Sequence, residues 1–283
     1  MLNKNNFYKF LFNYKPLPYE EAREQDSRFD LKRRYVNYAL RSRDRFYLVL
    51  KCVLKYFSST TLKVLDLGTY PGTMLRVLRE FLPEYTFELY GAGLCFTSDF
   101  IKIMKDKADA TILTVNLDPK NEQLRSKNYS TRIPLEDGSI DFVFALDIIE
   151  HLHSPIHILR ESNRVLKRGG KILITTNNVT RIGSVLKLLI GKSNYDCLMP
   201  IDYYNEDDEW RPHFREYSMD ELVNLLAKAN CKPVDRVFFN SNETYFNVKS
   251  IKQKLVDSIK IPFYCIPHLK EHILIIGEKC SNM

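Results

Sequence analysis

From residue 62 onward, short runs of consecutive apolar residues alternate with segments whose apolar positions recur every three or four residues. Leu62–Leu67, Phe87–Leu94, Ala110–Leu117, Ile140–Leu146 and Lys171–Thr176 belong to the first kind. Apolar side chains on successive positions need cover on both faces, so these runs predict buried strands of a largely parallel sheet. The helical periodicity falls at Thr73–Phe81, Thr97–Lys107, Pro155–Leu166 and Val179–Ile190. A helix over Ser218–Ala229 follows, with strands at Pro233–Phe239 and His272–Glu278. Such alternation predicts a doubly wound α/β fold whose ligand sits at the carboxyl ends of the first strands.

Two stretches break the pattern. Residues 1–60 are aromatic and charged, carry Pro16 and Pro18, and show helical periodicity from Arg28 to Phe57. They read as an N-terminal helical cap on a second unit spanning 61–283. Within that unit Asn194–His213 is polar and aromatic, with Tyr195, Tyr203, Tyr204 and Trp210 set among carboxylates. It is too long for a simple turn, so an insertion at about 192–217 acting as a lid or acceptor-binding element is expected.

Composition narrows the classes without choosing among them. A chain of 283 residues, 45% hydrophobic and 27% charged, can bury one large core. The net charge of +7 is modest and its signs are interspersed, so nucleic acid is not implied. The densest basic run, Lys32-Arg33-Arg34 through Arg41, Arg43 and Arg45, interleaves Tyr35, Val36, Tyr38, Leu40, Phe46 and Leu48. It is expected to be a solvated face over a packed one, although a phosphate-bearing substrate, an anionic membrane surface or RNA would also suit it. No apolar stretch approaches the roughly 20 residues of a membrane span, and the first residues lead into no signal-like segment, so the cytoplasm is the expected location. Six scattered cysteines without a C-x-x-C pair suggest neither a zinc site nor a disulfide framework.

The chemistry concentrates in Val64-Leu65-Asp66-Leu67-Gly68-Thr69-Tyr70-Pro71-Gly72-Thr73, a strand that ends in a glycine turn and opens a helix. Gly68 and Gly72 permit sharp turning and close approach of a ligand to the backbone. Pro71 suits a first helical turn. A dinucleotide site wants G-x-G-x-x-G, but Tyr70 stands two after Gly68 and would obstruct a pyrophosphate, and no Walker lysine follows Gly72. Asp66 at the mouth favours a ligand with a positive centre.

These residues resemble the first motif of class I S-adenosylmethionine (SAM)-dependent methyltransferases. The resemblance extends through Ile133-Pro134-Leu135-Glu136-Asp137-Gly138-Ser139-Ile140-Asp141, Asp147-Ile148-Ile149-Glu150-His151-Leu152 and Arg164-Val165-Leu166-Lys167-Arg168-Gly169-Gly170, and covers about residues 60–280. It implies a seven-stranded Rossmann-like sheet, SAM as cofactor and methyl transfer as the activity. Residue by residue it sets Gly68, Thr69, Tyr70 and Gly72 against the methionine part of SAM, with Asp66 near its amino group. It sets Asn116, Leu117 and Asp118 around the adenine, and Asp147 under the sulfonium. Asp118 precedes Pro119 and could instead open a turn, and Asp147 could cap the next helix. The family's ribose-binding acid is missing: the second strand ends in Gly93-Leu94. Thr97, Ser98 or Asp99 would have to serve, or binding forfeits about 1.5–3 kcal/mol.

Glu150-His151 follows the fourth predicted strand, with His153 and His157 close behind. His151 is the expected base for removing a hydroxyl proton and Glu150 its orienting partner, a helix-capping role being the alternative. A Glu-His metal site is possible, but no third ligand stands out in the sequence, so no metal is expected. His213 and Arg215, with Tyr204 and Trp210, are the expected acceptor contacts. Ser218 and Glu221 fit a capping box. Thr175-Thr176-Asn177-Asn178 and His213-Phe214-Arg215-Glu216-Tyr217 resemble methyltransferases that accompany bacterial polysaccharide and glycolipid synthesis, which implies a glycan or other small-molecule acceptor. A non-catalytic SAM-fold scaffold, suggested by Gly93, and an RNA methyltransferase, suggested by the basic run, are the competing readings.

Overall fold

The computed structural model describes residues 2–17, 38–57, 59, 61–94, 96–120, 129–194, 213–241 and 258–280. Its strands are Thr61–Leu67 (β1), Thr86–Gly93 (β2), Ala110–Thr114 (β3), Ile140–Leu146 (β4), Leu166–Asn177 (β5), Cys231–Phe239 (β6) and His272–Lys279 (β7). They form one sheet in the order β3-β2-β1-β4-β5-β7-β6. β1 to β5 are mutually parallel, and β7 runs antiparallel to both β5 and β6. This is the doubly wound arrangement expected, with strand order reversing between β1 and β4.

The two-residue period of the strands sorts their side chains onto two faces. Leu62, Val64, Phe142, Phe144, Leu173, Leu274 and Ile276 enter one hydrophobic cluster. Their immediate neighbours Leu65, Leu67, Val143, Ala145, Ile172, Ile174, Ile273 and Ile275 enter the other. The helices Lys4–Asn13 (α1), Tyr38–Arg41 (α2), Arg43–Tyr56 (α3), Thr73–Phe81 (α4) and Ser98–Ala108 (α5) contribute to the first cluster. Pro155–Val165 (α6) and Met219–Lys228 (α8) cover the second. The helix between β5 and the insertion is Ile182–Leu189 (α7).

The N-terminal segment is packed into the molecule rather than laid over it. Phe7, Leu11, Phe46, Val49, Leu50 and Val53 are fully buried in the cluster that also holds β1 and α4. The expectation of a solvated basic face fails here, because Arg43, Asp44 and Arg45 are all buried. Asp44 accepts from Tyr8 and pairs with Lys4 at 3.2 Å, which ties α1 to α3 and supplies the partner that buried charge requires. The helical periodicity is broken at Ser42, between α2 and α3, and its expected start at Arg28 lies outside the described residues.

Other boundaries shift for local reasons. β3 stops at Thr114 because the next residues leave the ladder, the Asn116 amide donating to the Ser130 carbonyl. β5 begins early, at Leu166, and the Gly169-Gly170 pair stays inside it at a register shift, with Gly169 at φ +74°. Gly72, not Pro71, caps α4, so the proline lies before the helix. α7 starts three residues late because Asn178 is spent on a turn, its side-chain amide donating to the carbonyls of His268 and Lys270. The Ser218 and Glu221 capping box forms as expected. Cys52 and Cys231 are buried free thiols and Cys265 and Cys280 exposed ones, while Cys95 and Cys197 lie outside the described residues.

Candidate functional site at the carboxyl edge of the sheet

Asp66, the penultimate residue of β1, shares the face of Val64 and so points toward the N-terminal helices. Its carboxylate is 4% exposed and accepts from Thr69 Oγ1 at 2.9 Å. Burial pushes its pKa up to about 7, against the opposing pull of that hydrogen bond and of the Arg45 charge. The loop that follows is stitched to β2, with the Gly68 and Thr69 amides both donating to the Ala92 carbonyl, at 2.8 and 3.4 Å. Gly68 and Gly72 have φ of +70° and +83°. A Cβ would stand 2.8 Å from Ile148 at the first and 2.0 Å from Met104 Sδ at the second, so both spaces must stay empty of side chain. The Tyr70 ring packs on Phe100 with centroids 5.3 Å apart.

β4 ends opposite this loop. Asp147, in the left-handed region at φ +49°, accepts from Thr175 Oγ1 at 2.8 Å and is ion-paired with Arg45. It caps no helix. Arg45 also donates to Ser42 Oγ and Tyr38 Oη, at 2.7 and 3.0 Å. Its charge also opposes the upward push of burial on the pKa of both Asp66 and Glu150. Sequence reasoning missed Arg45. The signal was a basic residue inside an apolar helical stripe, but only the sheet shows what that stripe faces.

Glu150 lies in a single 3₁₀ turn, Ile149–His151. It is 1% exposed, and burial pushes its pKa up to about 7. Thr176 Oγ1 donates to it at 2.8 Å. Consecutive residues of β5 face opposite ways, so Thr175 reaches Asp147 while Thr176 reaches Glu150. The Glu150 carbonyl accepts from the amides of Phe214 and Arg215, at 2.9 and 3.3 Å. That tether draws His213 to His151, their rings crossing edge to face at 4.6 Å. One ligand-competent atom from each of Glu150, His151 and His213 lies within 4.8 Å of the others. The third potential ligand, undetectable at a separation of sixty residues, is therefore supplied by the fold.

Asp118 takes the turn-holding role that the sequence left open beside adenine binding. Its two carboxylate oxygens take the His153 amide, the His153 Nδ1 and the Ser154 amide at 2.7–3.1 Å, holding the turn that opens α6. Asn116 supports the same turn by accepting from the Asp118 amide at 2.9 Å. Leu117 is partly buried against the second cluster and Leu94 is partly exposed beyond β2. A Cβ at Gly93 would meet the Phe96 ring at 2.9 Å, so no acidic side chain fits there without displacing it. Thr97 Oγ1 caps α5 by accepting from the Phe100 amide at 3.1 Å. Arg215, an expected acceptor contact, lies at the start of the segment leading into α8. It pairs with Glu221 and its guanidinium lies over Tyr217. His272, buried on β7 against Phe239, has its pKa pushed down to about 3 by burial and by Arg45, Arg181 and Arg41. Tyr204 and Trp210 lie outside the described residues.

Comparison with known proteins matches the geometry. Residues 39–236 fit the family model described as a methyltransferase domain. The demethylmenaquinone methyltransferase of Bacillus cereus is 27% identical over 198 residues, covering 64% of this chain and 78% of that protein. Among solved structures, the complex between the Haloferax volcanii Trm112 methyltransferase activator and a methyltransferase aligns with a TM-score of 0.53 and 17% identity, covering 86% of this chain and 92% of the other. The 4+2 cyclase SpnF aligns with a TM-score of 0.52 and 16% identity over 98% and 93%. These structural likenesses show the fold, and the cyclase shows that the fold alone does not specify the reaction.

Proposed function

Because this chain belongs to the methyltransferase domain family and takes its methyl group from SAM, we propose that it transfers that group to a hydroxyl oxygen of a sugar or another small molecule. The residues present fit the cofactor. Gly68 and Gly72 turn the loop at positive φ, where a side chain would collide with Ile148 and Met104, and Asp66 is a buried acid suited to an ammonium group. Arg45 supplies the positive charge that a methionine carboxylate needs, and Asp147 lines the same space. SAM, when bound, supplies an electrophilic methyl carbon.

The observation that carries the acceptor reading is the pairing of His151 with His213 and buried Glu150 at the edge of β4. A hydroxyl must lose its proton as its oxygen gains a methyl group, and a neutral imidazole accepts a proton near neutral pH. His151 takes that proton, and Glu150, held by Thr176 and the Phe214 amide, fixes the turn that carries the imidazole. The relative is by its name a methyltransferase of demethylmenaquinone, which agrees with an acceptor that is not a nucleic acid. The resemblance of 175–178 and 213–217 to enzymes of polysaccharide synthesis favours a glycan.

The test is transfer of a deuterated methyl group from labelled SAM to glycans and glycolipids of the cell envelope, followed by mass spectrometry. Labelled methyl ethers are expected, and His151→Ala should lower turnover by about 10²–10⁴ with SAM affinity unchanged. Near-normal turnover in that variant would remove His151 as the base. Label appearing on carbon or nitrogen alone would end the hydroxyl reading.

A further inference from the structure

We propose that Glu150, His151 and His213 form a binding site for a divalent transition-metal ion. Their ligand-competent atoms already lie within 4.8 Å of one another. Metal–nitrogen and metal–oxygen bonds of about 2.0–2.2 Å require donors roughly 3–3.5 Å apart, so imidazole and carboxylate rotations of about 1 Å complete the site. Two imidazoles and one carboxylate select ions of borderline softness, such as Zn²⁺, Co²⁺, Fe²⁺ or Mn²⁺, over Ca²⁺. Three protein ligands leave positions open, as in catalytic rather than structural sites.

Three independent features point to an ion. Glu150 is 1% exposed, yet among the described residues no basic side chain is within ion-pairing distance of it, and a buried carboxylate held in that way gains most from a cation. A supporting contact of the kind found around metal ligands is in place, with Thr176 Oγ1 donating to the Glu150 carboxylate at 2.8 Å. The ligands sit on two segments held together by backbone hydrogen bonds from Phe214 and Arg215 to Glu150. His213 and His151 are each partly exposed, which gives an ion a route in.

The site needs only this geometry, but its consequence rests on the hydroxyl-acceptor reading. An acceptor oxygen in an open position would have its pKa lowered by the ion and lose its proton to water. In that state His151 is a ligand, and the proton passes to solvent instead of to its imidazole.

Binding is tested without turnover. Untagged full-length protein is stripped with a chelator, loaded separately with Zn²⁺ and Co²⁺, desalted and analysed for metal. We expect about one ion per chain and, for Co²⁺, the visible absorption of a nitrogen- and oxygen-ligated ion. His151→Ala and His213→Ala should each weaken binding by about 10-fold or more, while His268→Gln, whose side chain lies outside the cluster, should not. Calorimetric SAM binding serves as the check on folding. Should an alanine variant fail it, the rise in melting temperature that Zn²⁺ gives the wild type should vanish in His213→Gln. Failure of the wild type to retain either ion, or equal retention in both histidine variants, overturns the site. Metal retention without methylation of any hydroxyl would uphold the site and defeat the acceptor reading instead.

Discussion

Burial of Asp66, without an ion-paired partner among the described residues, holds its carboxyl up at about 7, so near neutrality a large fraction is protonated. A folded-state pKa raised above the unfolded value contributes stability that is fully present below about pH 4 and is lost as pH rises through about 7. In the role proposed for Asp66 the SAM ammonium selects the ionised form, so cofactor affinity should run the other way. It should tighten about tenfold per pH unit up to about pH 7 and then level off. Calorimetry and thermal melts between about pH 5.5 and 8 measure both slopes. Asp66→Asn should flatten both and weaken SAM binding above pH 7 by about 10–100-fold. A wild-type affinity that ignores pH would show that Asp66 does not receive the ammonium. Asp118 illustrates the opposite fate of an acid, because its oxygens are already occupied by the turn before α6.

At the scale of the element, α3 is the unexpected contributor. A 14-residue helix with a mostly apolar face carries Arg45 into the space at the ends of β1 and β4, where the guanidinium meets Asp147. Asp147 is a third exposed, so water weakens the pair below the level of a fully enclosed one. Arg45→Met should cost about 1–3 kcal/mol in urea denaturation. Asp147→Asn should cost less in that background than in the wild type, the two differing by about 1 kcal/mol or more. Simple additivity of the two losses would mean that the pair is not coupled. β5 contributes in a different manner: its period of two gives Thr175 to one acid and Thr176 to the next.

For the whole molecule, the question is whether residues before β1 are an attachment or part of the core. Phe7 is fully buried, edge to face with Phe81 of α4 at 4.9 Å, in the cluster that also contains Val64 and Phe144. Phe7→Ala should therefore destabilise the entire chain by about 3–5 kcal/mol, through lost burial and the cavity left behind. The loss should appear in a single unfolding transition monitored both by far-ultraviolet circular dichroism and by the fluorescence of aromatic residues. A separate early transition confined to α1 would show that the segment is only appended.

The order of strands and helices from β1 to β7 was legible in the sequence, because burial on both faces writes runs of apolar residues and amphipathic helices write a period near 3.6. The glycine loop was legible too, since Gly68 and Gly72 are needed wherever the chain takes positive φ against Ile148 and Met104. Capping by Ser218 and Glu221 was equally local. What the sequence could not display was proximity between distant residues. Helical periodicity said that α3 has a buried face but not that Asp147 lies within reach of it. Composition made Arg45 a surface cation, and only a partner across the sheet makes its burial affordable. His213 follows an insertion and is sixty residues from His151, so nothing local joins them. The backbone bonds from Phe214 and Arg215 to Glu150 do so. The sequence by itself thus determined the fold class and the glycine loop, which depend on local periodicity and backbone freedom. The tertiary structure alone decided which acids are free to act, because that depends on the partners burial imposes.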